Sequence, residues 1–462
     1  MDAEPHYPLA QYDSNRLTSV WSRSFRGAYA AWGWLLFLGN GAVIVWLWLH
    51  DGGISHVHDT ATLLTSLGRI TGLLGAYLLL LQLLFFARLP WFVRHVGLER
   101  LVVWHRFNGK MCVGLVLAHV VLITPGYAMT DRYSILKETS TLLGSYPDMI
   151  QATIGTGLLV LVLVTSLMIV RQRLRYEAWY LVHLTAYVAV LLAWYHQLPN
   201  GNEFVFNKTA AAYWTALYVA ALALIVVFRF ARPLIRAFWY QMKVADVTSE
   251  GPRVFSLRIT GRHVDQLHAR AGQFFGLRFL TWKLMWQLHP FSLSAAPDGQ
   301  SLRFSIKISG DFTRTISEAT PGTRVLAEGP FGHLTGAVRR RDGVVLIAGG
   351  IGITPMRALL EEMPGNVVLI YRAAREEEIL FHDELETLAR DHGARVYFVT
   401  GDHRVPGNER LMSTDHLREL VPDLADREVY LCGPPGMMDA IEASVRAAGV
   451  LRKYIHTERF GF

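Results

Sequence analysis

The sequence predicts a membrane-embedded bundle of six α-helices followed by two soluble domains, the first built of β-strands and the second of alternating strands and helices. Three observations predict it. Hydrophobic residues make up 52% of the 462, high for a soluble chain. Six apolar runs, each near the ~20 residues that a bilayer requires, lie at 28–49, 61–86, 101–123, 149–170, 177–196 and 210–231. After Pro233 the hydropathy drops and the chain alternates as a β protein does.

Residues 1–26 are polar and hold Arg16, Arg23 and Arg26. The run that follows exceeds a signal-peptide core and lacks a small-residue cleavage site, so it is expected to remain as the first span. Direction follows from the loops, because short cytoplasmic loops collect Lys and Arg. Arg88, Arg94 and Arg100 lie between spans two and three, Arg171, Arg173 and Arg175 between four and five, and Arg229, Arg232 and Arg236 after six; the alternate loops hold only Arg132, Lys137 and Lys208. Both termini, and everything after residue 233, are therefore expected on the cytoplasmic side. The formal charge of +7 belongs to this pattern, since no single basic stripe with interleaved aromatics suggests nucleic acid. Two cysteines, Cys112 and Cys432, exclude a disulfide framework or a cysteine-ligated cluster.

Span three, "LVVWHRFNGKMCVGLVLAHVVLI", carries His105 and His119, and span five, "EAWYLVHLTAYVAVLLAWYHQL", carries His183 and His196. Both spans run in the same direction, so His105 and His183 fall near the inner face and His119 and His196 near the outer. At 1.5 Å per residue the two levels are ~20 Å apart. That leaves room for two stacked haems, each held by two imidazoles from facing helices. The competing explanation for any one histidine is a buried ring hydrogen-bonded to a neighbour. Zinc fits less well, because its tetrahedral sites gather ligands round one point. Fourteen residues return His119 nearly to the face of His105, whereas thirteen leave His196 well off the face of His183, so span five is either irregular or its haem planes are turned. His50, His56 and His58 lie in the first external loop and need no function there.

The second half supplies a donor. "HPFSLS", residues 289–294, follows the strand-like "GQFFGLRF", and "LRFSIKISGDFTRTI", residues 302–316, runs from a strand into a helix. "VVLIAGGIGITPMRALL", residues 344–360, is a strand, a glycine turn with Gly349, Gly350 and Gly352, and a helix opening near Thr354; "VVLIYRAAREEEILF" and "VYLCGPPGMM" follow. These stretches resemble the flavin and nucleotide domains of the ferredoxin reductase superfamily, in the form found in bacterial NADPH oxidases and ferric reductase-like transmembrane flavohaemoproteins. The resemblance implies an FAD-binding β-barrel over 236–338 and an NADPH-binding α/β domain over 339–462, after a di-haem membrane domain at 27–235. It implies FAD contacts from His289, Pro290, Phe291, Ser292, Leu293 and Ser294, with Ser292 near the flavin N5. Lys307 and the turn from Gly310 to Thr313 would receive the pyrophosphate; Lys307 and Phe312 stand where many members have Arg and Trp. Cys432, Gly433 and Pro434 would lie beside the nicotinamide, and Arg372, with Arg375, would meet a 2′-phosphate, favouring NADPH over NADH. The ending "YIHTERFGF" implies an aromatic stacked on the flavin, Phe460 before Phe462.

The function so implied is electron transfer from NADPH through FAD and two haem b groups to an external acceptor, foremost O2 giving superoxide. A ferric or cupric chelate is the second acceptor, and a quinone or partner protein the third. Arg69, in "SLGRITGLL" of span two, needs a partner at its depth. A haem propionate would serve, and Arg69 is the candidate for polarising nascent superoxide, with a purely structural clamp as its alternative. The resemblance also implies a bacterial cytoplasmic membrane and no obligate protein partner, and no EF-hand pattern suggests calcium control. The Trp-rich "TWKLMWQL", residues 281–288, fits either a membrane interface or a core-facing loop.

Overall fold

The computed structural model describes residues 28–459 except 88, 175, 252, 403, 404, 406, 407 and 409, so Arg16, Arg23, Arg26, Arg88, Arg175, Phe460 and Phe462 lie outside the described residues. Contacts divide the chain into a membrane unit ending at Phe230 and a second unit that includes Ala231–Phe462.

Long runs that are mostly apolar leave the backbone no water to bond, and helix formation satisfies each N–H and C=O locally. The spans are α1 (Ala28–His50), α2 (Thr60–Phe86), α3 (Leu98–Thr130), α5 (Met149–Ser166), α6 (Tyr176–Asn200) and α8 (Lys208–Ile225); α4 (Ile135–Ser145) and the single turn α7 (Asn202–Val205) lie in the loops after α3 and α6. Asp59 starts α2 sharply, its carboxylate accepting from Thr62 N–H at 2.8 Å while the Thr62 hydroxyl accepts from Asp59 N–H at 3.1 Å. Span three outruns its expected end at residue 123 and continues through Pro125 to Thr130.

Spans two and three pack as an antiparallel pair in one unbroken register. A Cβ on Gly126 would meet Thr65 N at 2.8 Å, on Gly68 Ile123 N at 3.0 Å, on Gly72 His119 Nδ1 at 2.7 Å, and on Gly75 Val116 Cγ2 at 3.2 Å. The residue numbers of every pair add to 191. Small residues at these points let the two backbones approach, which is how helices adhere where no hydrophobic effect separates protein from solvent.

The chain does not turn to strand at Pro233 as expected. A π-helical turn, Val226–Ala231, carries the sixth span without a break into α9 (Arg232–Tyr240), and Pro233, which has no N–H to give to the preceding turn, sits just where the wider π turn ends. The first strand begins at Lys243. Strands β1 (Lys243–Gly251), β2 (Val254–Thr260), β3 (Phe274–Phe279), β4 (His289–Ser292), β5 (Ser301–Lys307) and β6 (Val325–Phe331) form two antiparallel sheets ordered 1-2-5 and 4-3-6. Isolated bridges Lys243–Arg324 and Leu293–Phe304 join the sheets at both seams, so six strands enclose a core of Leu257, Phe275, Phe279 and Phe304. Helix α10 (Asp311–Ser317) follows β5.

The remainder is a five-stranded parallel sheet, ordered 11-10-7-8-9, of β7 (Val344–Gly349), β8 (Val367–Ala373), β9 (Arg395–Thr400), β10 (Glu428–Gly433) and β11 (Ile455–Arg459). Strands β7 and β10 are buried throughout, as covering helices on both faces demand. Helices α11 (Ile353–Glu362), α12 (His382–His392) and α13 (Pro435–Ala447) pack against the sheet. Barrel and sheet are tied by charge: Glu384 accepts from Arg303 Nη1 at 2.9 Å and from Arg357 Nη2 at 2.5 Å, and Glu361 accepts from Ala296 N–H at 2.6 Å.

The α2–α3 seam gives a direct test. Replacing Gly126 by Leu forces a side chain into Thr65 and should cost about 1–3 kcal/mol, as overpacking does. Gly114→Leu, where nothing lies within 4 Å, should be tolerated. The thermal stability of the two variants in one detergent checks the difference.

Candidate functional site

In the membrane unit the histidines of α3 and α6 find each other at the inner level. The rings of His105 and His183 lie 5.8 Å apart between centroids. Two metal–imidazole bonds of ~2 Å together with the two ring radii span about 6 Å, so the pair is spaced for one metal atom between them. At the outer level His119 and His196 lie within electrostatic reach of each other. Helix α6 is α-helical from Tyr176 to Asn200, so span five carries no irregularity to absorb its thirteen-residue spacing. The offset falls on the ring orientations instead.

The groups behind the rings matter as much, because a ligand's second nitrogen fixes its tautomer. His119 Nδ1 lies 2.8 Å from the Gly68 carbonyl, which makes Nδ1 the donor and leaves Nε2 free to bind. His183 Nδ1 lies 3.3 Å from the Ser166 hydroxyl. Below His105 the buried Asn108 donates to the Leu78 carbonyl and to Gln82, and Gln82 donates to the His105 carbonyl at 2.9 Å, which pins that turn of α3. His105 and His196 keep a buried Nδ1 without a protein partner, and so do the indole N–H of Trp48, Trp194 and Trp214 and Arg69 Nε. A large group bearing carboxylates would satisfy such donors. Among the described residues no three His, Cys, Asp or Glu side chains gather round one point, so a bare ion finds no cage, whereas two imidazoles suit an iron whose other four ligands come from a macrocycle.

Arg69 has a protein partner that sequence reasoning missed. Its Nη2 donates to Glu203 Oε1 at 2.6 Å and to the Asp51 carbonyl at 3.3 Å, where a haem propionate was expected. Glu203, in α7, is 3% exposed. The Asp51 carboxylate accepts from Asn207 at 2.7 Å, so the pair sits in a lattice that joins the loop after span one to the loop after span five. The available signal was a lone acid within the apolar "EFVF" of the loop after span five. Glu138 of α4 is fully buried with both carboxylate oxygens unpartnered, and burial raises its pKa.

In the second unit β3 lies between β4 and β6, and α10 follows β5. Phe312 closes the gap: its ring lies 3.8 Å from that of His289 and stacks parallel to Phe291 at 6.4 Å. The expected flavin strand and phosphate turn are thereby brought together. Ser292 Oγ is buried and has no partner, as suits a hydroxyl meant for a ligand. Burial holds the His289 imidazole below its ordinary pKa, and Nε2 faces Gln287 Oε1 at 3.2 Å. Pro290 and Lys307 are exposed, and a Cβ on Gly310 would meet nothing within 4 Å, an open cradle. Thr313 uses its hydroxyl on the turn itself, accepting from the N–H groups of Ser309 and Gly310 at 2.9 and 3.1 Å.

Two expected FAD contacts are engaged elsewhere. The Leu293 side chain belongs to the barrel core, and Ser294 Oγ is buried against Ser305 Oγ at 2.7 Å and Arg303 Nε at 3.3 Å. The cause is that alternation stops: His289 and Phe291 share one side with Phe312, and after Ser292 the chain turns inward so that Leu293 and Ser294 are both buried.

At the parallel sheet the two glycine turns meet. A Cβ on Gly352 would lie 2.4 Å from the Cys432 carbonyl, and Gly433 lies against the Gly349 backbone, so only glycine permits the approach. Gly350 has φ of 52° and open space above it. Cys432 is fully buried at the end of β10, Pro434 Cδ lies 3.2 Å from a Cβ on Gly349, and Thr354 donates to the Ile351 carbonyl at 3.0 Å. Arg372 does not present a free fork to solvent: it donates to the carbonyls of Val399, at 3.2 Å, and of Ala373 and Gly401. Burial lowers its pKa, and Asp402 offsets this. Arg375 is the open guanidinium at this strand end, paired at 2.7 Å with Glu378 on the surface.

Breaking the buried Arg69–Glu203 pair from one side should be costly, because it strands the other charge. Glu203→Ala should destabilise the membrane unit by about 3 kcal/mol, and Arg69→Met with Glu203→Leu by distinctly less. A double-mutant cycle on thermal unfolding reads both.

Three family models match the chain: "Ferric reductase like transmembrane component" over residues 71–194, "FAD-binding domain" over 239–335 and "Oxidoreductase NAD-binding domain" over 346–443. The chain is 25% identical over 379 residues to "Ferric/cupric reductase transmembrane component 1" of Candida albicans, which covers 77% of this chain and 47% of that protein. It is 32% identical over 233 residues to the ferredoxin reductase component of 3-ketosteroid-9-alpha-monooxygenase of Mycolicibacterium smegmatis, covering 48% of this chain and 65% of that one. The chain thus spans between about half and two thirds of these relatives' lengths. Among solved structures, the FAD/NAD binding domain of nitric oxide dioxygenase from Vibrio cholerae matches at 24% identity and TM-score 0.41, over 48% of this chain and 98% of that one. In chain order, the matches are to a ferric reductase-like transmembrane component, an FAD-binding domain and a NAD-binding domain, and the described residues hold six helices long and apolar enough to cross a membrane.

Proposed function

We propose that the protein moves electrons from cytoplasmic NAD(P)H across the bilayer to an external acceptor, with dioxygen, reduced to superoxide, as the first candidate. The observation that carries this reading is the His105–His183 pair, spaced for one metal atom within a membrane unit whose own chain continues into FAD- and NAD-binding domains. When bound, FAD would convert a two-electron hydride donor into a one-electron source, and two haems would pass single electrons through the hydrocarbon.

The chain's own residues hold and orient these groups. His105 with His183 would hold the inner haem, and His119 with His196 the outer. The Gly68 carbonyl fixes the tautomer of His119, and the Ser166 hydroxyl bonds to His183 Nδ1. Ser292 offers its unpartnered hydroxyl to the flavin, and Lys307 with the open turn at Gly310 offers charge and backbone to a pyrophosphate. The glycine turns at 349–352 and 433 leave room for a dinucleotide, and Arg375 is the cation best placed for a 2′-phosphate, which keeps NADPH ahead of NADH. Arg69 puts a cation near the external end, where it would steady developing negative charge on an acceptor. An iron held by an imidazole on each side would leave O2 no ligand position, so its reduction there would be outer-sphere. The overall change balances as NADPH + 2 O2 → NADP+ + H+ + 2 superoxide. The arginine-rich loops support cytoplasmic termini, and the resemblance supports a bacterial cytoplasmic membrane.

A second reading rests on the Candida albicans relative, whose name is that of a ferric/cupric reductase. There the same route would end on a metal chelate. Purified protein with FAD and NADPH separates the two: cytochrome c reduction abolished by superoxide dismutase, with matching oxygen uptake, is the expected result. Chelate reduction that proceeds equally well without oxygen, beside background oxygen uptake, would assign the metalloreductase instead.

A further inference from the structure

Two apolar features of the second unit play no part in the candidate cofactor sites. The first is the "TWKLMWQL" segment. Its Thr281 carbonyl accepts from Leu284 and Met285 N–H at 3.1 and 2.9 Å, forming one helical turn, and Leu284 enters the barrel core. Arg278 clamps the turn by donating to the Met285 carbonyl at 3.0 Å. With the turn so fixed, Trp282 and Trp286, four residues apart, point outward and are 84% and 64% exposed. The segment is therefore not a core-facing loop.

The second feature is α9. Its Arg236 donates to the Gly329 carbonyl at 2.7 Å, and Tyr240 packs against the barrel core. The other side of the helix leaves Leu234, Ile235, Phe238 and Trp239 exposed, Phe238 by 77%. Trp239 is held upright, its ring on His263 at 4.9 Å and its N–H donating to Gln266 at 3.2 Å.

The two features emerge at one edge of the barrel. Arg324 bridges to Lys243, three residues beyond Tyr240, and its carbonyl also accepts from Leu280 N–H at 2.9 Å. The end of the helix and the start of the turn thus flank a single strand residue, about two strand spacings or ~10 Å apart. Lys243, Lys283 and Arg324 are exposed around them.

We propose that this edge is a membrane seat: α9 and the Trp282–Trp286 turn lie in the headgroup region of an anionic bilayer surface. Continuity with the sixth span argues for lipid as the occupant. The sixth span runs without a break from α8 through the π-helical turn into α9, and the 18 residues of α8 alone rise ~27 Å, close to the hydrocarbon thickness, so α9 is the part of that helix that emerges at headgroup level. A helix end with Leu234, Ile235, Phe238 and Trp239 on its exposed face has the composition of a segment lodged at the lipid headgroup boundary. Indoles favour the same level, since ring and N–H want different solvents, and the surrounding Lys and Arg match anionic headgroups. The proposal depends on membrane integration, not on the electron-transfer reading.

The full chain, in nanodiscs of phosphatidylcholine and phosphatidylglycerol brominated near the headgroup, tests it. Single thiols introduced as Trp282→Cys and Phe238→Cys carry a bimane label, and Asp383→Cys, at a fully exposed side chain, is the aqueous reference; Cys112 and Cys432 are buried. The labels at 282 and 238 should be quenched by bromolipid roughly threefold more than the reference and correspondingly less by aqueous iodide. Iodide quenching equal to the reference, with no bromolipid effect, overturns the proposal. So does shielding from both quenchers accompanied by a 282–282 disulfide, which would place a second copy on this edge. If Trp282→Cys fails to show the parent melting transition, Trp286→Cys reads the same prediction.

Discussion

Everything in the membrane unit follows from the absence of water around it: a polar group at that depth must find its partner in the protein or in a bound group. Helices dispose of the backbone, and a continuous line of small residues lets α2 and α3 lie close enough to share one register. That closeness serves the site directly. Gly72 stands where any side chain would strike His119 at Nδ1, and the Gly68 carbonyl one turn away accepts from that same nitrogen. Packing and ligand orientation are thus one piece of structure, and loosening the seam would turn the imidazole.

The same rule governs the external end. An arginine inside a span is tolerable only when matched, and here Glu203 matches it from a loop that Asp51 and Asn207 tie to the end of the first span. The cation is held in place with its charge balanced and one edge, Nε, still unsatisfied. In the second unit polar groups are also left unmatched selectively: Ser292 Oγ is buried alone, while its neighbour Ser294 is fully engaged with Ser305 and Arg303. A barrel that satisfies one serine and not the next marks where a ligand belongs.

Much of this was legible in the sequence, because periodicity and spacing are local. Six apolar runs became six spans, the strand-like stretches around residues 274–279 and 301–307 became strands, and the glycine turn at 349–352 opened a helix. What was not legible is long-range or geometric. Glu203 lies 134 residues from Arg69, and nothing local joins them. Alternation could not reveal that the chain turns inward after Ser292, which puts the Leu293 side chain in the barrel core and Ser294 Oγ against Ser305. Phe312 appeared as a substitution in a motif, whereas its ring is what brings His289 and Phe291 to α10. Helix α9 was hidden because a proline in its first turn and only nine residues give it little helical signal beside the strands that follow.

The central claim is that four membrane histidines act as two axial pairs. Quantitative low-temperature electron paramagnetic resonance of the purified, oxidised chain tests it most directly, since bis-imidazole iron is low-spin. The account predicts about two low-spin ferric haems per polypeptide. A single haem, or a dominant high-spin signal from iron with an open axial position, would contradict it.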